Sequence, residues 1–269
     1  MPLTNSNVPL DNVQNGKEPN NFWSDGFSPN GVQAVLFDLD GTLRHNHPPA
    51  VQVFLRHAIE LGVTDDPLMR REFERWVHYY WAQSPDLLGD LQALGDEDLF
   101  WTNYARRSLE AYGCTAEQAE ALAPQLQSYM NNTYNPEDCV LGEVPLTLEA
   151  LKQQGFRLAV LSNRTKPYTE QLQSLGLAKY FEFALAAGEV EAWKPDPVVF
   201  RHALQHMKVF PEQVIYVGDN YYADVIGARQ AGLRPVLLDP QGLFPEAGCP
   251  VIQSLGELCG LLKEQHPNR

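Results

Sequence analysis

From Val32 onward the chain alternates short apolar runs with segments of helical spacing. The runs are Ala34 to Leu39, Leu158 to Leu161, Phe183 to Ala187, Val214 to Val217 and Pro235 to Leu238, rich in Val, Leu and Phe. Between the later ones lie Leu146 to Gln154, Pro167 to Leu175, Pro197 to Met207 and Tyr222 to Ala231, each with apolar residues at helical intervals. Strands alternating with helices predict an α/β fold, a Rossmann-like parallel sheet with helices on both faces. Gly155, Gly176 and Gly232 stand just beyond three of these helices, where a left-handed cap is expected.

The first two strands are separated by more than a hundred residues, too many for one crossover. The intervening stretch, 48–141, is almost wholly helical in pattern. Val51 to Leu61, Pro67 to Ala82, Glu97 to Tyr112 and Ala116 to Met130 carry apolar residues three and four apart. Asp96 and Thr115 suit the N-caps of the last two, and Pro124 should kink or split the last. The pattern therefore predicts an inserted all-helical cap (48–141) on an α/β core made of 32–47 and 142–269. An insertion after the first strand stands over the carboxyl ends of the strands, where open α/β sheets bind ligands, and is placed to act as a lid. Residues 1–31, rich in Asn, Pro, Ser and Gly without a period, read as a flexible N-terminal tail that Phe22-Trp23 could dock locally.

Charge narrows the partners. The chain has 269 residues, 20 Lys and Arg against 34 Asp and Glu, and a formal charge of -14. That balance argues against nucleic acid or an anionic membrane as the main partner, but leaves room for a small anionic substrate held by a few local cations. Cys114, Cys139, Cys249 and Cys259 show neither a C-x-x-C pair nor metal spacing. They suggest reduced thiols in a cytoplasmic protein rather than a zinc site or a disulfide scaffold. No apolar stretch suits a membrane span, and no secretory signal is visible.

The chemistry collects where strands end. The first run closes in Asp38-Leu39-Asp40-Gly41-Thr42. If extended geometry holds through Asp40, both carboxylates leave on one side, a costly pairing without a cation or proton between them. The second strand ends in Ser162-Asn163, Lys194-Pro195-Asp196-Pro197 precedes a helix, and the fourth strand ends in Gly218-Asp219 with Asp224 five residues on. Asp38 can attack phosphorus; Asp40 can protonate a leaving oxygen and then deprotonate water. Ser162, the Asn163 backbone N–H and Lys194 offer donors and a cation for phosphoryl oxygens. Asp219 supplies a hard ligand for Mg²⁺ with Asp38 and a backbone carbonyl near Asp40, and Asp224 can orient that shell.

These stations, in this order, resemble the haloacid dehalogenase-like hydrolase superfamily, phosphatase type, over about Gln33 to Leu262. The resemblance implies a nucleophile at Asp38, acid/base at Asp40, phosphoryl binding by Thr42, Ser162, Asn163 and Lys194, and metal binding by Asp38, Asp40, Asp219 and Asp224, Asp40 through its carbonyl. In the family's dehalogenases and phosphonate hydrolases the position of Asp40 is not an aspartate, so its presence favours C–O–P substrates. The implied protein is a Mg²⁺-dependent phosphatase acting on a small phosphorylated metabolite. A phosphosugar mutase shares the pattern, and a non-catalytic binding protein could retain it. Oligomeric state is not encoded in any of these signals.

Other residues have plainer readings. Asp196 suits an N-cap with Pro197 at the first helical position. His78-Tyr79-Tyr80-Trp81, with Trp76, Trp101 and Tyr104, read mainly as cap packing, with one or two free to face a substrate. Arg70, Arg71, Arg75, Arg106 and Arg107 read as solvated cations paired with nearby Glu, one of which might read a second anionic group. Arg44, His45 and His47 read by default as a polar linker into the cap, though they are better placed than those arginines to meet a leaving group. His202 and His206, one turn apart, lack a third ligand nearby and read as sheet cover.

Overall fold

A computed structural model describes residues 31–263. The expected tail, Phe22-Trp23 included, lies outside the described residues except for Gly31. The chain begins with β1 (Ala34–Phe37) and a short strand β2 (His45–His47). Five helices follow: α1 (Ala50–Glu60), α2 (Pro67–Trp81), α3 (Pro85–Ala93), α4 (Glu97–Ala111) and α5 (Ala116–Asn132). Then come β3 (Glu137–Cys139), α6 (Glu143–Gln153), β4 (Arg157–Ser162), α7 (Thr169–Ser174), β5 (Ala184–Ala186) and α8 (Pro197–Met207). The chain continues through β6 (Val214–Gly218), a π-helical turn over Tyr221–Ile226, α9 (Gly227–Gln230), β7 (Arg234–Leu238), β8 (Val251–Ile252) and α10 (Glu257–Lys263).

Six strands form one parallel sheet in the order β5-β4-β1-β6-β7-β8. Alternation along β1 shows why its apolar run is unbroken. Val35 and Phe37 pack with α6, α7 and α10 on one face, and Ala34 and Leu36 with α8 and α9 on the other. Both faces are buried, so every position of the strand must be apolar. Each fully buried large side chain contributes about 1.5–3 kcal/mol. Asp196 accepts from Val198 N at 2.8 Å with Pro197 opening α8, and Gly155, Gly176 and Gly232 have φ of 88°, 70° and 84° at the expected helix ends.

Phe37 pairs with Val160 on one side and Val217 on the other. The three central strands therefore end together, and strand order reverses at β1. The residues after Phe37, Leu161 and Val217 emerge at one rim, at the switch point where such sheets bind ligands.

Over that rim lie α1–α5. Asp96 caps α4 and Thr115 forms a capping box with Gln118 at α5, as expected. Two readings are corrected, and one helix is added. Pro124 does not split α5; burial of Ala119, Ala123 and Leu126 beside Leu109 and Tyr112 outweighs the one backbone bond that proline removes. The insertion is not all helical: β3 pairs antiparallel with β2, closing its two ends into a ribbon. Helix α3, unforeseen, starts at Ser84, whose hydroxyl accepts from Leu87 N; its brevity and Gly89 hid the period. Among the described residues no helix is long and apolar enough to cross a membrane.

Candidate active site

Asp38 continues β1 by one residue: its N–H donates to Val217 O at 2.8 Å. The chain then turns. Leu39 O accepts from the N–H groups of Thr42, Leu43 and Arg44, and Gly41 sits at φ 93°. Extended geometry thus ends before Asp40, contrary to the period-two expectation. Both carboxylates still face one cleft, but a turn rather than a strand delivers the second. A Cβ on Gly41 would lie 2.3 Å from Asp219 Oδ2, so the turn needs glycine for its φ and for its contact.

Lys194 is the buried hub. Its Nζ donates to Asp38 Oδ1 at 2.5 Å, Asp224 Oδ1 at 2.8 Å and the Tyr216 hydroxyl at 2.9 Å. Burial alone would push this ammonium down, but Asp224 and Asp38 together hold it above its usual value and fully charged. Asn163 fixes the lysine backbone: its Oδ1 accepts from Lys194 N at 2.7 Å and its Nδ2 donates to Lys194 O at 2.9 Å. The Asn163 side chain therefore positions Lys194, a task the sequence reading did not assign. Tyr216, inside β6, was also missed; a tyrosine in an otherwise aliphatic buried strand was the available signal.

Asp38, Asp219 and Asp224 present carboxylate oxygens within 4.8 Å of one another. Asp224 is anchored by Asn220 N at 2.9 Å, and the approach of its carboxyl to Gly218 leaves no room there for a Cβ. Thr42 Oγ1 donates to Asp219 Oδ1 at 3.4 Å, so its hydroxyl serves the acidic cluster. Burial pushes Asp38 up to about 7, opposed by Lys194 and reinforced by Asp224 and Asp40. Burial, with Asp38 and Asp224 adjacent, raises Asp219 well above the carboxylate range. Three carboxylates against one ammonium leave the cluster short of positive charge. Hard oxygen donors at this spacing fit a hard divalent cation.

Asp40 has other company. Arg164 donates Nε to its Oδ2 and Nη2 to its Oδ1, both at 2.8 Å, and Arg44 Nη1 donates to Oδ1 at 2.9 Å. Burial favours the neutral acid, but the two arginines together prevail and hold this carboxyl below its usual value. Ser162 Oγ lies 3.5 Å from Asp40 Oδ2. Arg44 also donates Nε to Asp138 of β3 at 2.6 Å, tying the turn to the ribbon that carries the insertion. Sequence reading noted Arg44 but missed Arg164; its signal was a cation two positions beyond a serine at a strand end.

A cleft of about 1160 Å³ opens over these groups and continues beneath the helices. The aromatic run of α2 divides. Tyr80 is buried in the insertion and donates to Asp90 Oδ2 at 3.0 Å; Tyr79 packs edge-on against Tyr222, and His78 against Phe244, both from the sheet domain. Trp81 and, from α4, Trp101 line the cleft. The five candidate arginines do not. Arg70, Arg106 and Arg107 pair with Asp65, Glu110 and Asp86/Asp90, while Arg71 and Arg75 reach across to Leu243 O. His206 packs on Phe183, consistent with sheet cover.

Residues 32–232 match the haloacid dehalogenase-like hydrolase family model. A phosphoserine phosphatase of Thermus thermophilus is 39% identical over 237 residues, covering 80% of this chain and 91% of that one. A ribulose-1,5-bisphosphate 5-phosphatase of Halopiger xanaduensis is 31% identical over 212 residues, covering 77% and 84%. The solved structure of a HAD phosphatase from Thermococcus onnurineus shares the fold at a TM-score of 0.51 and 24% identity, over 86% of this chain and 98% of that one. With three-quarters of its length matched and its acidic strand ends gathered at one rim, the chain belongs to the haloacid dehalogenase-like hydrolase family.

Proposed function

We propose that this protein is a Mg²⁺-dependent phosphatase that hydrolyses a small phosphorylated metabolite through an aspartyl-phosphate on Asp38. One observation carries the reading: Asp38, Asp219 and Asp224 converge within 4.8 Å beside the buried ammonium of Lys194, at the floor of an open cleft. The named activities of the Thermus and Halopiger relatives support it. Asp38, Asp219 and Asp224, with the Asp40 carbonyl, would hold the cation. Bound there, Mg²⁺ would screen the carboxylates from an incoming phosphoryl dianion.

Asp38 attacks phosphorus as the ester P–O bond breaks, and Asp40 delivers a proton to the departing oxygen. A water then attacks the phosphoryl group, gives its proton to Asp40, and frees Asp38 and phosphate. Lys194, Ser162 and the Asn163 backbone N–H stabilise the phosphoryl oxygens, and Thr42 supports that end through Asp219. In the geometry above, Arg164 and Arg44 favour the ionised, basic form of Asp40. The acid half-reaction therefore requires substrate to draw the arginines from that carboxylate. Helices α1–α5 act as the cap that excludes water. All four cysteines are free, in keeping with a cytoplasmic location.

The test is release of inorganic phosphate from a panel of phosphorylated metabolites with Mg²⁺ and with a chelator. Metal-dependent release is expected, and Asp38→Asn should lower it by three orders of magnitude or more, since it removes the nucleophile (~10³). Full activity of the variant, or an isomerised sugar phosphate with no free phosphate, would refute the assignment.

A further inference from the structure

The two walls of the cleft differ in kind. The floor carries Asp38, Asp40, Asp219 and the cations Arg44, Arg164 and Lys194. Among the described residues these three are the cleft's only Lys or Arg side chains, and each is bound to carboxylate: Arg44 to Asp40 and Asp138, Arg164 to Asp40, Lys194 to Asp38 and Asp224. The cap wall carries Trp81, Leu88, Leu91, Phe100 and Trp101, together with the polar side chains of Gln52, His78 and Gln83. Leu88 and Leu91 are 48% and 56% exposed, on the part of α3 that faces this space. Trp81 turns its indole N–H inward to the Tyr104 hydroxyl at 3.1 Å, so its polar edge is satisfied within the cap. Its ring lies 5.9 Å from that of Trp101. The charged side chain contributed by the cap is Glu74, an anion.

A substrate whose phosphoryl group occupies the floor must place its leaving group against that wall. A second phosphate or a carboxylate there would meet aliphatic and aromatic carbon, Glu74 and the side chains of Gln52, His78 and Gln83, with no Lys or Arg from the cap to replace its hydration. An uncharged leaving group with a flat or apolar face would instead cover exposed leucine and stack on indole. Resting on the phosphatase reading above, we infer that the preferred substrate is a monophosphate ester of a neutral, apolar-faced alcohol, aromatic or aliphatic. Bisphosphates and phosphoamino acids, with a charged distal end, are discriminated against. Trp101 and Leu88 are specificity-determining residues, remote from the reacting atoms.

The experiment compares kcat/KM for 2-naphthyl phosphate, phosphoserine and a hexose bisphosphate in the full-length protein with Mg²⁺. Naphthyl phosphate should exceed both anionic esters by at least ~10-fold, the scale of a lost apolar contact in a pocket. Trp101→Ala should raise KM for the naphthyl ester ~10-fold with kcat little changed. Leu88→Arg, at an exposed position that does not threaten folding, should raise kcat/KM for the bisphosphate several-fold and lower it for the naphthyl ester. Preference for an anionic ester, or variants that shift all three substrates alike, would overturn the inference and leave the phosphatase reading standing. If no ester releases phosphate, that reading fails. Calorimetric titration of Asp38→Asn with naphthyl phosphate and phosphoserine then decides the wall: tighter naphthyl binding sustains its apolar preference, and equal or weaker binding refutes it.

Discussion

Arg164 holds Asp40 through two parallel bonds, Nε to Oδ2 and Nη2 to Oδ1, each 2.8 Å long. A planar guanidinium facing a carboxylate in this manner fixes both charge and direction. With Arg44 on the same carboxylate, Asp40 is held by one arginine from the turn after β1 and one from the loop after β4. Removing Arg164 should therefore raise the Asp40 pKa and loosen its aim. Arg164→Ala is expected to move the alkaline limb of the kcat/KM profile, where a protonated Asp40 would be lost, to higher pH and, through the loosened aim, to lower kcat/KM by ~10- to 100-fold. An unchanged limb would show that Arg164 does not tune Asp40.

Lys194 bridges Asp38 and Asp224, all three side chains buried at the cleft floor. Lys194→Met would leave two buried carboxylates without their ammonium, a change that costs about 3–5 kcal/mol when a buried pair is broken from one side. Denaturant titration without metal should show that loss, and phosphate release should fall to background. A variant as stable as the parent would mean that the carboxylates find another partner.

Gly41 answers two demands at once, a φ of 93° and a Cβ position 2.3 Å from Asp219. Gly41→Ala should displace Asp219, destabilise the fold by about 1–3 kcal/mol and abolish metal-dependent activity. Circular dichroism with thermal melting checks the first effect and the phosphate assay the second.

A cation held by the acidic cluster would bind in a pH-dependent way. Asp38 and Asp219 are raised, so between the ordinary carboxylate value and about 7 the folded protein holds protons that the unfolded chain has lost. These groups therefore oppose stability as pH rises through that window. A divalent cation competes with those protons. The gain in melting temperature on adding Mg²⁺ should be small at pH 5 and grow toward pH 8. A gain independent of pH would place the cation elsewhere.

Much of this protein could be read from one dimension. The strands Ala34–Phe37, Val214–Gly218 and Arg234–Leu238 and the helix Pro197–Met207 follow directly from apolar period, capping and proline or glycine position, because those signals act within a few residues. Asp38 and Asp219 were recognisable because each directly follows a strand, and Lys194 and Asp224 because they lie in the segments beside the helix start at Pro197 and after the strand that ends at Gly218; parallel register brings such ends together. What the chain alone could not decide concerns side chains that meet across distant segments. Arg164 finds Asp40, Asn163 grips Lys194, Tyr216 completes the lysine's shell, and Trp81 faces the cleft while its neighbour Tyr80 turns into the helical insertion. A helix periodicity says which residues share a face, but only packing against other elements decides which face is buried and which lines the cleft. The unbroken helix through Pro124 follows the same logic, since packing outweighed the local preference, whereas the turn at Gly41 is local, made by glycine's positive φ and the bonds to Leu39 O.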